Sequence, residues 1–317
     1  VKTGQGTQTW GTGTELAGYK YVGRFRDGKQ NGQGTLLYPD GSTYEGNFTD
    51  SVQTGQGTKT WGDGSVLVGH KYVGEFENNM LNGQGSYTYA DGSVYTGSFT
   101  DNVKVGQGQK TWLNGDQYIG AFQNGVHSGA GTFIYSNGDQ YVGFFKQNEQ
   151  YGEGSLSFAN GDKYVGSYHE GAQHGRGTKT FANGDVYVGA FKDDRFEGQG
   201  VYTYANGDIY TGAFEKDVKT GQGTKTWGPG SELSGDKYVG MFKGDAPNGQ
   251  GTYTYADGSI YIGAFKDGMK AGQGVKTWGP DTQFAGDKYD GAFQDNNQNG
   301  RGRYIYADGR VYVGEFK

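Results

Sequence analysis

One five-residue pattern, Tyr-x-Gly-x-Phe, recurs along the chain and limits what the chain can fold into. It begins at thirteen tyrosines, and Tyr168 takes the Phe place in one copy. The tyrosines are Tyr21, Tyr44, Tyr72, Tyr95, Tyr118, Tyr141, Tyr164, Tyr187, Tyr210, Tyr238, Tyr261, Tyr289 and Tyr312. The step between them is 23 residues nine times and 28 residues three times. A fixed period of this size indicates a repeat array in which each repeat contacts its neighbours.

The parity of the repeat predicts short β-strands. Alternate side chains of a strand point to opposite faces, so Tyr, Gly and Phe at positions i, i+2 and i+4 share one face. A second segment, Gly-x-Gly followed by alternating residues, begins eleven residues after each tyrosine, as in residues 249–255. Each repeat is therefore predicted to form two strands with glycine and rings on one face. Because glycine is a poor strand residue, we expect it to leave room for a neighbouring ring over the backbone.

Turn signals join these strands. Seven residues after each repeat tyrosine stands Gly, Asn, Asp or, once, Ser, and this position is predicted to be a turn with positive φ. Between repeats, Asn-Gly and Asp-Gly pairs give a second hairpin signal. All four prolines fall in predicted turns, namely Pro39, Pro229, Pro247 and Pro280. The sequence thus predicts an all-β fold, an elongated single-layer antiparallel β-meander of stacked β-hairpin repeats.

The period, the Tyr-x-Gly-x-aromatic pattern and the Gly-x-Gly offset resemble MORN repeats, the "membrane occupation and recognition nexus" units. The resemblance covers essentially the whole chain. It departs from the family pattern in having Phe where members often have Trp, and in the three 28-residue steps. It implies an elongated, twisted β-sheet that serves as a scaffold or dimerisation module, with phospholipid binding proposed for some members. It does not imply an enzyme.

Composition agrees with a thin sheet rather than a globular core. Hydrophobic residues make up 32% of the chain, glycine supplies 64 residues, and the mean hydropathy is -0.80. Such values would favour disorder, but 26 Tyr, 18 Phe and 5 Trp on a strict period indicate ring stacking between neighbours instead.

Charge and cysteine usage limit the partners. A net charge of -6 makes nucleic acid a poor partner. The lack of Lys and Arg clusters weakens the case for binding to an anionic membrane. The absence of cysteine excludes disulfides and thiolate sites. It also favours an exported bacterial or cell-surface protein over a cytoplasmic or membrane-associated one, although the sequence leaves the compartment open. No cofactor or metal site is predicted.

The array is predicted to run over residues 1–317, as a half-unit at 1–20, twelve full repeats at 21–311 and a half-unit at 312–317. Unpaired strand edges are templates for further pairing. The candidate assembly edges are Gly4, Gly6, Tyr312, Gly314 and Phe316. Either the chain is an excerpt of a longer array, or the half-units complete each other between molecules and form head-to-tail filaments.

Four long links are the irregular feature of the chain. Each begins at a tryptophan that lies eleven residues before the next repeat tyrosine: Trp10, Trp61, Trp227 and Trp278. Trp112 has the tryptophan without the insertion. An apolar residue follows each of the four after six positions: Leu16, Leu67, Leu233 and Phe284. Either this residue folds back on its tryptophan as a local core, or the links are loops on one edge that grip a partner.

The residues predict a non-catalytic structural scaffold that displays a surface for protein partners or for copies of itself. The four histidines lie at non-equivalent places in the repeats and have no metal spacing. Gly-Gln-Gly is followed by a strand, whereas a phosphate loop needs a helix N-terminus. Two alternatives come from other classes, a phospholipid-binding module and an extracellular carbohydrate-binding or adhesin-like repeat. Exposed, coplanar tryptophans would favour sugar binding, and tryptophans covered by the link residues would favour a local core.

Overall fold

The computed structural model describes residues 1–317 and is all-β, with twenty-six strands and no helix. It divides into two compact units, Val1–Ala159 and Asn160–Lys317. The first contains β1 (Gly4–Thr9), β2 (Lys20–Arg26), β3 (Lys29–Leu37), β4 (Thr43–Thr49), β5 (Val52–Thr60), β6 (Lys71–Glu77), β7 (Met80–Thr88), β8 (Val94–Thr100), β9 (Val103–Thr111), β10 (Gln117–Gln123), β11 (Val126–Ile134), β12 (Gln140–Lys146) and β13 (Glu149–Ser157). The second contains β14 (Lys163–His169), β15 (Ala172–Thr180), β16 (Val186–Lys192), β17 (Arg195–Thr203), β18 (Ile209–Glu215), β19 (Val218–Thr226), β20 (Lys237–Lys243), β21 (Ala246–Thr254), β22 (Ile260–Lys266), β23 (Met269–Thr277), β24 (Lys288–Gln294), β25 (Asn297–Ile305) and β26 (Val311–Phe316). The predicted all-β class is confirmed.

Within each unit, every strand pairs antiparallel with the next strand along the chain. This confirms the predicted meander. The register places one glycine of each strand opposite a glycine of the next, so that Gly97 lies between Gly85 and Gly108. We call the resulting line of residues the glycine row.

The ring of each repeat tyrosine covers the glycine row. A Cβ atom added to Gly97 would lie 2.5 Å from Oη of Tyr95, and one added to Gly108 would lie 2.6 Å from the same ring. All twelve repeat tyrosines from Tyr21 to Tyr289 are 0% exposed. The expectation that glycine makes room for a ring over the backbone is confirmed.

A register shift follows the glycine pair inside each hairpin. In β8 and β9, Gly97 pairs with Gly108, but Ser98 pairs with Val105. The tyrosine hydroxyl of the same repeat donates a hydrogen bond to the carbonyl beside this shift, and Tyr95 Oη lies 3.1 Å from the Ser98 oxygen. The bond recurs in all thirteen repeats. The tyrosine therefore fills the space above glycine and also satisfies a carbonyl at the bulge.

The core of each unit is a single file of alternating rings. Tyr95 contacts Phe99 of its own strand edge-to-face at 5.2 Å between centroids, and Phe122 of the next repeat at 4.9 Å. The same two contacts link the repeats from Phe25 to Tyr141 in the first unit and from Tyr164 to Tyr312 in the second. We call this file the inner aromatic row. Edge-to-face pairs add to the stability gained by burial.

Both kinds of turn lie where the sequence placed them. The predicted positive φ at the seventh residue after each tyrosine is confirmed, as for Asn102 at 70°, and the residue before it is also left-handed, as for Asp101 at 46°. Two left-handed residues in a two-residue loop form a type I′ turn. Between repeats only the glycine is left-handed, as in Gly92 at 84°, and this loop is closed by a bond from the Tyr89 N–H to the Ser93 carbonyl.

Pro247 lies inside β21 rather than in a turn, which corrects the prediction for one of the four prolines. It stands nine residues after Tyr238. At the equivalent place in the preceding repeat, the Lys219 N–H donates to Oδ1 of Asp245, in the turn of the next repeat. The turn that faces Pro247 instead contains Gly268, whose amide bonds the Pro247 carbonyl. Glycine offers no side-chain acceptor, so a proline without an N–H loses no bond here.

Candidate functional site

A second line of rings lies on the same face as the inner aromatic row, at the ends of the nine-residue strands. It is formed by the residue seventeen positions after each repeat tyrosine and by Trp10, and we call it the outer aromatic row. Its members are Trp10, Tyr38, Trp61, Tyr89, Trp112, Tyr135 and Phe158 in the first unit, and Phe181, Tyr204, Trp227, Tyr255, Trp278 and Tyr306 in the second. These rings are half-buried, apart from Tyr306, which is exposed. Part of each ring in the outer row is therefore exposed to solvent.

Lysine side chains lie between the rings of the outer aromatic row. Nζ of Lys110 lies 5.2 Å from the ring centroid of Tyr89 and 4.5 Å from that of Trp112. Lys59, Lys225 and Lys276 each lie in the same way between a tyrosine and a tryptophan. Burial lowers the pKa of Lys59, Lys110 and Lys276. Cation–π contact partly compensates each ammonium group for its lost hydration.

The sequence analysis missed one position that shapes this face, the residue nine places after each repeat tyrosine. Its occupants are Gln30, Gln53, Leu81, Lys104, His127, Gln150, Gln173, Phe196, Lys219, Pro247, Lys270 and Gln298. His127 stacks on Tyr118 at 3.7 Å between centroids, and Phe196 stacks on Tyr187 at 3.8 Å. The position has the parity of the following Gly-x-Gly, so the strand pattern places it on the ring face. The repeat pattern did not reveal this position because its residue type differs from repeat to repeat.

All five predicted tryptophans lie in the outer aromatic row, half-buried. The Trp227 ring is tilted 45° to Tyr253, and the Trp278 ring is tilted 47° to Tyr304, so these neighbouring rings are not coplanar. Phe284 contacts Trp278 edge-on at 6.1 Å. All four link residues are nevertheless partly exposed: Leu16 at 44%, Leu67 at 38%, Leu233 at 48% and Phe284 at 45%. Whether the links serve as local cores or grip a partner stays a prediction.

Each long link that begins at Trp61, Trp227 or Trp278 is anchored to the turn of the repeat before it. The Gly62 N–H donates to Oγ of Ser42 at 3.0 Å, and the Gly64 N–H donates to the Asp40 carbonyl at 2.9 Å. Gly228 and Gly279 are bonded in the same way to Asp208 and Ser259. The beginning of these links is therefore held against the preceding turn.

The predicted assembly edges lie in β1 and β26. The register pairs there are Gly4 with Phe25, Gly6 with Gly23, Gly314 with Gly302, and Phe316 with Gly300. Tyr312 is 46% exposed, unlike the twelve buried repeat tyrosines. Self-association through these residues stays a prediction.

The structure contains no group of three or more His, Asp or Glu side chains that could hold a metal ion. It also contains no helix long and apolar enough to cross a membrane.

His127 is expected to make the stability of this region depend on pH. It is 6% exposed, and burial, followed by the charges of Lys110 and Lys104, lowers its pKa from 6.5 to about 4. As the pH falls from 6.5 towards 4, the unfolded chain binds the proton before the folded chain does, so stability is lost in that window. We expect wild type to lose about 2 kcal/mol more than His127→Gln between pH 7 and pH 4.5.

Urea unfolding at the two pH values checks this expectation. Glutamine is a matched replacement, because Gln150 and Gln173 occupy the same place in other repeats. Equal losses of stability in wild type and His127→Gln would show that the buried histidine does not resist protonation.

Comparison with known families decides what the repeat is. The MORN repeat profile matches residues 1–15, 21–43, 44–66, 72–94, 95–117, 118–140, 141–163, 164–186, 187–209, 210–232, 238–260, 261–282 and 289–309. The chain belongs to the MORN-repeat family. The four stretches between matches, 16–20, 67–71, 233–237 and 283–288, are the ends of the four long links. The MORN repeats of this chain are therefore extended at those points, while the strands keep the family pattern.

Solved structures and curated proteins add little to the MORN assignment. The SAS-4 TCP domain from Drosophila melanogaster, in complex with a proline-rich motif of Ana2, is 13% identical, with a TM-score of 0.30 over 58% of this chain and 84% of that chain. The G-box domain of the microcephaly protein CPAP is 12% identical, with a TM-score of 0.23 over 74% and 100% of the two chains. Scores this low carry no argument about function. The comparison with curated proteins found no match.

Proposed function

We propose that this chain is a non-catalytic scaffold whose MORN repeats hold a protein partner along the outer aromatic row. The observation that carries the proposal is the continuous succession of rings and lysines along that row. In the first unit, lysines and two further rings, Tyr87 and Phe133, lie between the members of the row. The order is Tyr38, Lys59, Trp61, Tyr87, Tyr89, Lys110, Trp112, Phe133 and Tyr135, with neighbours 4.5–5.5 Å apart. Half-exposed Tyr and Trp rings are the side chains that most often anchor protein interfaces.

Hydrogen bonds between successive turns support the proposal, because they hold the row in place. Oδ1 of Asp185 accepts the Ala205 N–H at 2.8 Å, and Oδ2 of the same side chain accepts the Tyr202 hydroxyl at 2.8 Å. Asp236 bonds Ala256 and Tyr253 in the same pattern, and Asp287 bonds Ala307 and Tyr304. A surface fixed before binding loses little conformational entropy on binding.

Two features of the row favour a protein over the alternative ligands. Neighbouring rings such as Trp227 and Tyr253 are tilted by 45°, whereas a row of sugar rings needs flat platforms. The lysines of the row lie over ring faces, and Lys225 is also paired with Asp208 at 3.5 Å. Because these lysines are half-buried between rings, a flat anionic membrane surface reaches them less readily than it reaches lysines extended into water.

Site-specific photo-cross-linking in an extract of the source cells tests the proposal. A benzophenone amino acid replaces Trp112 or Trp227 in the outer row, and matched controls carry it at Val73 or Ile262, on the opposite face and 45% and 57% exposed. We expect one protein adduct from the row positions and none from the controls. With the purified partner, Trp112→Ala is expected to weaken binding about tenfold or more.

Other adducts would identify a different function. Adducts to lipid or to glycan alone, or equal yields from both faces, would contradict the proposal that the outer aromatic row binds a protein.

A further inference from the structure

Three repeats carry two lysines on the ring face, nine and fifteen residues after the repeat tyrosine. The first lysine pair is Lys104 and Lys110, the second is Lys219 and Lys225, and the third is Lys270 and Lys276. In each pair, both ammonium groups lie over one ring of the outer aromatic row, at 5.0–5.7 Å from the centroid of Tyr89, Tyr204 or Tyr255. Two cations that share one ring repel each other unless an anion lies nearby.

The second lysine pair has its anions within the chain. Nζ of Lys219 lies 3.1 Å from Oδ1 of Asp245, and Nζ of Lys225 lies 3.5 Å from Oδ2 of Asp208. Burial works to lower the pKa of Lys219, but the hydrogen bonds and charges of Tyr204 and Asp245 outweigh it and raise the pKa overall. This pair shows that the site accommodates two carboxylates, one beside each lysine.

The first and third pairs lack both carboxylates. The place of Asp245 is taken by Gly125 beside the first pair and by Asn296 beside the third, and the place of Asp208 is taken by Ser93 and Ser259. Asn296 keeps the backbone contact, since its Oδ1 accepts the Lys270 N–H at 2.9 Å, but it brings no charge. The repeat pattern is otherwise unchanged, so the two pairs differ from the second by the missing anions.

The acids nearest to these pairs serve the turns. Oδ1 of Asp91 accepts the Ser93 N–H, and Oδ1 of Asp257 accepts the Ser259 N–H, each at 2.8 Å. Asp91 also works to raise the pKa of Lys110, and Asp257 that of Lys276, but burial outweighs both charges and the pKa of each lysine is lowered. Burial, followed by the charge of Lys276, lowers the pKa of Lys270 to about 8.

A buried histidine with an unpartnered ring nitrogen lies beside the first pair. His127 is 6% exposed, and its Nδ1 has no hydrogen-bond partner. Its ring lies 5.8 Å from that of Trp112, which Lys110 covers at 4.5 Å. Lys104 and Lys110 both act on His127 electrostatically. Lys104, Lys110 and His127 thus lie close together, and neither Asp208 nor Asp245 of the second pair has a carboxylate counterpart beside them.

We infer that the first and third lysine pairs are anion sites that bind carboxylate side chains of an acidic segment in a protein partner. The partner's carboxylates take the places that Asp208 and Asp245 fill beside the second pair. Carboxylate is the chemistry the chain itself uses there, and charge-assisted hydrogen bonds to ammonium groups supply the affinity. The inference rests on the proposed function, because it assumes that the ring face binds a protein.

Binding of a fluorescent peptide of alternating Tyr and Asp or Glu to the full chain tests the inference, with the Asn and Gln peptide as control. We expect Lys270→Gln with Lys276→Gln to halve the number of peptides bound per chain and to weaken binding at that site about tenfold. Ser259→Asp with Asn296→Asp, which supplies the missing carboxylates, is expected to do the same. The matched control, Lys71→Gln with Lys237→Gln, changes two exposed lysines that directly precede a repeat tyrosine and so lie on the opposite face, and is expected to leave peptide binding unchanged.

The variant Ser259→Asp with Asn296→Asp, which we call the filled variant, also controls for folding. Asn296→Asp is isosteric, and Asp at position 259 can accept the Gly279 N–H as Asp208 accepts the Gly228 N–H. Its thermal midpoint is therefore expected to equal or exceed that of wild type. A filled variant that is stable and still binds the full number of peptides would overturn the inference, as would equal binding of the acidic and amide peptides.

Binding of the same variants to vesicles of phosphatidylcholine and phosphatidylserine is the second measurement. Lysine-dependent binding to vesicles without binding to the peptide would assign the pairs to membrane phosphates and overturn the inference. If the outer aromatic row cross-links a protein but that contact is unaffected in the lysine variants, the scaffold proposal stands and the lysine-pair inference alone fails.

Discussion

Tyr187→Ala is expected to destabilise the second unit by about 4 kcal/mol, the range for deleting a large buried ring. Tyr187 is 0% exposed and contacts Phe191 and Phe214 edge-to-face, at 5.2 and 5.1 Å. Its hydroxyl also donates to the Ala190 carbonyl at 2.9 Å. The substitution therefore opens a cavity, breaks the inner aromatic row on both sides, and leaves a carbonyl at the bulge without its partner.

Urea unfolding followed by circular dichroism measures this loss, with two related variants as references. Tyr187→Phe keeps the ring and loses the hydroxyl, and is expected to cost about 1–2 kcal/mol. Tyr312→Ala is expected to cost about 1 kcal/mol or less, because that tyrosine is 46% exposed. A loss at Tyr187 no larger than the loss at Tyr312 would contradict the view that buried tyrosines form the core.

Gly212→Ala is the second substitution with a large expected effect, about 3 kcal/mol, although it adds only one methyl group. The new Cβ would lie 2.5 Å from Oη of Tyr210 and 2.8 Å from Cα of Gly223. The ring is held between two phenylalanines and the glycine is backbone of the paired strand, so neither can move aside without disturbing the register. Overpacking of this kind distorts the backbone.

Two glycines elsewhere provide graded controls for Gly212→Ala in the same urea unfolding assay. At Gly11 an added Cβ meets nothing within 4 Å and φ is not positive, so Gly11→Ala is expected to change stability by less than about 0.5 kcal/mol. At Gly6 the nearest atom is Cε2 of Phe25 at 3.3 Å, and an intermediate loss is expected. Similar values for all three substitutions would show that the ring does not cover the glycine row.

The parts of the fold that depend on short-range patterns were predictable. Tyr95, Gly97 and Phe99 share a face because the side chains of a strand alternate between its two faces. Asn102 could be predicted to be left-handed because Asn is one of the few residue types that tolerate that conformation. These rules act within about ten residues, and they set the strands, the turns and the meander.

Features that depend on register between repeats were not predictable. Lys104 and Lys110 share the ring of Tyr89 only because successive hairpins align their strands and the bulge offsets one strand against the other. The spacing of residues along the sequence does not reveal that offset. Pro247 was placed in a turn for the same reason, since a residue without an N–H fits this strand position only because Gly268 of the next repeat offers no side-chain acceptor. The exposure of Leu16 and Leu233 likewise follows from how the links lie.

The contact between position nine and the next turn also bears on how a chain of near-identical hairpins avoids mispairing while it folds. A hairpin displaced by one repeat would find the same tyrosine, glycine and phenylalanine, so the inner aromatic row alone does not distinguish correct from incorrect neighbours. The pairing of Lys219 with Asp245, and of Pro247 with Gly268, does. Exchange of the two turn residues would remove the ion pair and leave a carboxylate facing a proline. At these two places the variable residues therefore distinguish the correct neighbouring hairpin from a displaced one.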